Sequence, residues 1–155
     1  MTYRQSSRAV DGREVATHLQ PVVSLLQALA LNGKQAHWHV RGRHFVSVHE
    51  QLDAVVADAR KYADDFAERV VALGEAVDGR PHTVAEASGV FPEGFLADDK
   101  VIALILEQLD AVIERARSGL KPLDDIDLVS QDLLIELIQV LEKHRWMFEA
   151  QLESD

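Results

Sequence analysis

The stretch KQAHWHVRGRHFVSVHEQLD, residues 34–53, carries four of the chain's seven histidines. Asp64 and Glu68 follow it in the same helical pattern. Imidazole and carboxylate side chains bind divalent metals and move protons. In an antiparallel hairpin centred near Arg43, His37 and His49 are equidistant from the turn and face each other. Asp53 lies one helical turn beyond His49 on the same face. At about 100° per residue, His49, Asp53, Asp64 and Glu68 share one stripe.

His49 and Asp64 are roughly 22 Å apart at ~1.5 Å per residue, too far for one metal to bridge. An isologous dimer removes the difficulty. A two-fold axis near Asp58–Ala59 sets Asp64 and Glu68 of one chain against His49 and Asp53 of the other. Each of two identical sites then holds His37, His49 and Asp53 from one subunit, with Asp64 and Glu68 from its mate. Two histidines and three carboxylates suit Fe(II), Mn(II) or Zn(II), and carboxylates can bridge two irons. His39 lies about 200° from His37 on the helical wheel and is no ligand. His44 sits in the turn, exposed to solvent. His18, His82 and His144 have no acidic partner at ligand spacing.

Four long helical patterns must position these groups. The first runs from Gly12 to Val40, with apolar Val22, Leu25, Leu26 and Leu29 at helical spacing. Pro21 is either its first-turn residue or the cause of a kink after a short leading turn. The second runs from Phe45 to Leu73 and stops at Gly74. Residues 75–96 form a crossover rich in Gly and Pro. Thr83 to Ser88 reads as a short helix within it, with Thr83 as N-cap and Glu86 closing a capping box. The third pattern runs from Asp98 to about Ser118, and GLKPLDDID (119–127) is a break. The fourth runs from Leu128 to Leu152. Short link, long crossover, short link is the connectivity of an all-α four-helix bundle whose long crossover joins helices two and three.

At 155 residues the chain is the size of a single domain, 1–155, with residues 1–12 as a flexible N-terminal tail. The net charge of −10 speaks against binding nucleic acid over the whole surface and favours cations. There are no cysteines, which excludes thiolate sites and fits a cytoplasmic location. The N-terminus lacks an apolar signal segment, and no apolar run is long enough to span a membrane.

KQAHWHVRG, FVSVHEQLD and YADDFAERVVALG together resemble the Dps family of mini-ferritins, within the ferritin-like superfamily. DLVSQDLLIELIQVLEKHRWMFEAQL matches as well, so the similarity extends from about Val15 to Leu152. The resemblance implies a hollow dodecamer, with ferroxidase centres shared between subunits. Each centre would hold two irons and oxidise Fe(II), with hydrogen peroxide preferred over oxygen. Ferric iron would be stored inside, protecting the cell from oxidative damage. The family's ligands fall on His37, His49, Asp53, Asp64 and Glu68. Trp38 matches a tryptophan beside the centre, as electron donor or as a core packing residue. Iron would be admitted through acidic three-fold pores lined by Asp132, with Asp124, Asp125 and Asp127 as further candidates or as helix-capping acids. The tails lack the lysines of DNA-condensing members. Arg4, Arg8 and Arg13 are the only basic bias, so DNA binding and nucleoid association are expected to be weak or absent. Two other functions compete: a metal-dependent hydrolase with Zn(II) or Mn(II) at the same site, and a nucleoid-type protein whose shell matters more than its metal chemistry.

Overall fold

The computed structural model describes residues 10–152. Most of the expected tail, including Arg4 and Arg8, lies outside the described residues, as does the acidic end at 153–155. The elements are α1 (Gly12–His39), β1 (Val40–Arg41), α2 (Phe45–Ala72), α3 (Pro81–Ser88), β2 (Leu96–Ala97), α4 (Asp98–Asp124) and α5 (Leu128–Glu149). The four long helices bury Leu19, Leu26, Leu52, Phe66, Leu109, Leu137 and Phe148 between them. Among the described residues no helix is long and apolar enough to cross a membrane.

Asp11 caps α1, its carboxylate accepting from the backbone N–H groups of Arg13 and Glu14. Pro21 is neither a first-turn residue nor preceded by a separate turn, because α1 continues through it. The chain then reverses at Gly42, whose φ is 140°. A Cβ there would sit 2.5 Å from the Asp98 carboxylate. That carboxylate accepts from the His44 backbone N–H at 2.6 Å and so braces the turn. Gly33 lets α1 and α2 approach closely, since a Cβ there would lie 2.7 Å from Val56 Cγ2.

Three local expectations are corrected. The capping box is absent. Pro81, with its fixed φ, starts α3, and no side chain caps the helix. Thr83 Oγ1 instead donates to Asp78 Oδ2 at 2.7 Å, and Glu86 pairs with His82. The break at 119–127 is mostly helix. The apolar period of Leu109, Val112 and Ala116 continues to buried Leu123, and this burial outweighs the Gly and Pro signals. The crossover also carries a short strand, as β1 pairs in parallel with β2, Val40 to Leu96. The pairing ties the end of the crossover to the hairpin turn, and Arg41 stacks its guanidinium on Phe95 beside it, 3.3 Å from the ring centroid.

A polar seam joins α2 to α5. Tyr62 donates to Glu136 at 3.1 Å, and buried His144 donates from Nε2 to Asp58 Oδ2 at 2.6 Å. His144 therefore has an acidic partner, which sequence spacing could not reveal because it comes from another helix. Its other ring nitrogen is buried and unpaired. Asp58→Ala leaves both nitrogens without partners. The expected cost is about 1–3 kcal/mol, measurable by urea unfolding, and His144→Phe in the same background should recover most of it.

Candidate metal centre

His37 ends α1 and His49 opens α2, and the hairpin presses their rings together. The rings stack with centroids 3.6 Å apart and planes 16° from parallel. His37 Nδ1 lies 2.8 Å from the carbonyl oxygen of His49, and His49 Nδ1 lies 2.8 Å from that of His37. A carbonyl oxygen can only accept, so both Nδ1 atoms carry the proton. This reciprocal lock fixes the tautomer and leaves both Nε2 lone pairs available to a metal. His37 is buried and His49 half-buried, with Phe45 stacked on the outer face of His49 at 5.0 Å.

Asp53 is exposed on the next turn, with Oδ1 3.5 Å from His37 Nδ1. It is tied to Lys34 by a hydrogen-bonded ion pair. The Lys34 ammonium holds the Asp53 carboxyl below the usual carboxylate range, with the two imidazoles adding to the effect. Lys34 is absent from the sequence-level site. The antiparallel pairing that aligns His37 with His49 also brings residue 34 level with residue 52, beside Asp53, so the signal was there. The expected trio is thus only partly assembled in one chain: the imidazoles meet, and the carboxylate turns to a lysine. Among the described residues no three His, Asp or Glu side chains form a metal-holding cluster.

Asp64 and Glu68 are exposed further along α2, and no hydrogen bond or ion pair holds either within the described chain. They continue a line of exposed or half-buried residues: Val46, His49, Asp53, Ala57, Arg60, Asp64, Glu68, Val71. Their spacing reads the same from either end about Asp58–Ala59. Val46 and Val71, 61% and 57% exposed, are the apolar residues at the two ends of that line. The symmetry that sets His49 opposite Glu68 also sets Val46 opposite Val71.

The remaining candidates separate by environment. Trp38 is 63% exposed, so the core-packing alternative does not hold within one chain. His39 bonds its own helix at Gln35 O and contacts the Phe95 ring, away from His37. His44 is half-buried rather than fully exposed, because its backbone anchors Asp98. Asp127 is buried, paired with Arg69 at 2.7 Å and bonded to Ser130 at the start of α5. Burial pushes its carboxyl up, but the Ser130 and Arg69 bonds outweigh that and hold it low. For Asp127 the capping role therefore replaces the pore-lining one. Asp124, Asp125 and Asp132 are exposed around the same helix start, and only Asp124 has a side-chain partner, Gln131.

Known proteins resemble this chain in sequence and in fold. Residues 16–155 match a ferritin-like domain. The chain is 38% identical over 145 residues to a DNA protection during starvation protein of Mycolicibacterium smegmatis, covering 91% of this chain and 78% of that one. It is 36% identical over 146 residues to DNA protection during starvation protein 2 of Deinococcus radiodurans, covering 93% of this chain but spanning only 61% of that relative's length. Among solved structures, Dps from Microbacterium arborescens in the high iron form superposes with a TM-score of 0.87 at 44% identity, covering 90% of this chain and 92% of that one. On these matches the chain belongs to the Dps family of ferritin-like proteins.

Proposed function

We propose that this protein is a mini-ferritin that oxidises Fe(II) at centres shared between two copies and stores the ferric product inside an oligomeric shell, a dodecamer built from two-fold dimers. Membership of the family supports an iron-related protective role. One observation carries the finer reading: a locked imidazole pair with free Nε2 atoms lies at one end of a self-complementary helix face, and two unpartnered carboxylates lie at the other.

Pairing two copies of that face brings Asp53 against Asp64, with Glu68 beside His49. Three carboxylates and two neutral imidazoles cannot be gathered without cations, and Lys34 neutralises only one of them. Two Fe(II) ions supply the missing charge, and the oxygen-rich donor set suits the ferric product as well. Each Fe(II) yields one electron. One hydrogen peroxide accepts both, its O–O bond breaks, and two protons complete two waters. Paired electron delivery avoids the hydroxyl radical that single-electron reduction of peroxide releases. The exposed Asp132, Asp124 and Asp125 are the candidates for guiding Fe(II) inward.

The direct test is anaerobic Fe(II) with measured additions of hydrogen peroxide and a spin trap. The expected outcome is two Fe(II) consumed per peroxide with no trapped hydroxyl radical. One Fe(II) per peroxide with radical release would reject the reading.

Metal and protons compete for the same ligand lone pairs, and Lys34 holds the Asp53 carboxyl below the usual carboxylate range, so Asp53 stays ionised further into acid. In Lys34→Met the Asp53 carboxyl should titrate higher, so its part of the Fe(II) affinity should begin to fall at a higher pH than in the parent. Calorimetric Fe(II) titrations at several pH values, done without oxidant, would show it.

A further inference from the structure

Beside Asp64 lies an open cavity of about 400 Å³ between α1, α2 and the start of α3. Its walls are mostly small and apolar, Ala30 and Leu31 from α1, Ala63 and Ala67 from α2 and Val84 from α3, with Arg60 and Asp64 as the charged residues. Gln27 reaches into it with a buried Oε1 that has no hydrogen-bond partner. A mostly apolar hollow beside Asp64 has no use within one chain. Leu31, at its rim, is 62% exposed.

We propose that this cavity is the socket for Leu31 of a second copy of the chain, and that filling it completes the wall behind Asp64. The inference rests on the shared-site reading above. Leu31 precedes His37 by six residues, and Val55 follows His49 by six, so Leu31 lies level with Val55. Val55 and Tyr62 are equidistant from the axis at Asp58–Ala59. The second copy therefore delivers its Leu31 level with Tyr62 and Ala63, in the middle of the cavity. By symmetry the first copy's Leu31 enters the opposite socket. Trp38 is the other large exposed apolar group on this face of α1. It lies seven residues on, about 10 Å further along the helix at ~1.5 Å per residue, and comes level with Arg69, beyond the cavity. Leu31 is thus the occupant that the register selects.

The socket has a consequence for the centre. Asp64 lines it, so an inserted leucine excludes water from one side of that carboxylate and leaves it facing the incoming histidines. The crossover helix α3 gains a role, since Val84 forms the socket's outer wall. Dimerisation and completion of the ligand set become one event.

The test exchanges size across the contact. Leu31→Ala empties both sockets of a homodimer, and Ala63→Leu obstructs both. Each should weaken self-association about tenfold or more, the effect of one apolar side chain lost from or misfitted into a contact. In a mixed dimer, one socket pairs the original Leu31 with the original Ala63. The other pairs the shortened side chain at position 31 with the enlarged one at position 63. Both fit. Co-expressed, differently tagged variants should therefore form mixed dimers above the random fraction by native mass spectrometry. Each variant's fold is checked by circular dichroism, and Ala63→Val serves where Ala63→Leu unfolds. Random mixing, with the unmodified protein still associating, would overturn the socket and leave the shared site standing. An unmodified protein that stays monomeric would overturn the shared site itself. A fault within one chain cannot be rescued by mixing, so preferential mixing supports the contact between copies.

Discussion

Asp64→Ala and His49→Ala should each lower the rate of Fe(II) oxidation by about 100-fold or more, beyond the 10–100-fold cost of losing a group that merely supports a ligand. The two variants fail for different reasons. Asp64 makes no contact that holds the fold, so its removal should leave unfolding free energy within about 0.5 kcal/mol of the parent while the reaction slows by that factor. His49 has two tasks. Its Nε2 offers a lone pair, and its ring stacks on His37. His49→Ala thus removes one ligand and the ring packed against the other, while the residue-49 carbonyl still accepts from His37 Nδ1. Asp65→Ala is the control, because Asp65 faces away from the stripe and is tied to Lys61. It should retain the parent rate. Stopped-flow absorbance of Fe(III) formation at fixed Fe(II) and peroxide measures all three, and a parent-like rate in Asp64→Ala would remove it from the centre.

Asp127→Ala should break a buried ion pair and cost about 3 kcal/mol of stability. The substitution removes the cap of α5 and strands the Arg69 guanidinium, which is only 22% exposed, without its counter-charge. For a chain of this size that corresponds to a melting point lower by roughly 6–12 °C. Asp127→Asn keeps most of the cap and should cost less. The pH dependence has a definite sign. The folded-state carboxyl is held below its unfolded value, so its contribution is present above the usual carboxylate range and is lost as pH falls through the depressed value. Asp127→Asn should show less of that acid loss, by thermal denaturation over a pH series.

Much of this architecture is legible in the sequence because helices repeat. The 3.6-residue period places three of the four long helices within a few residues of their observed ends, while α4 runs six residues past its expected end at Ser118, to Asp124; the distance from Arg43 brings His37 against His49. The failures occur where burial overrides local punctuation. Pro21 and Pro122 lie inside helices whose apolar stripes continue past them. Thr83 reads as a cap from its spacing to Glu86, but Pro81 starts that helix first. The partners of His144 and Asp127 come from a different helix, so no local spacing could show them. The proposed shared site is read from four polar positions. The exposed Val46 and Val71, visible only once burial is known, give the same axis an apolar reason to exist.

The most direct measurement of the shared site is complementation between two inactive chains. One carries His37→Ala and His49→Ala, and the other Asp64→Ala and Glu68→Ala. In a mixed dimer, one of the two centres draws its histidines and Asp53 from the second chain and its Asp64 and Glu68 from the first, and is complete; the other has lost all four. With random pairing, about a quarter of all centres are intact, so co-assembled protein should recover about a quarter of the parent Fe(II) oxidation rate. If the co-assembled chains remain as inactive as each alone, the centre is not shared and the account fails.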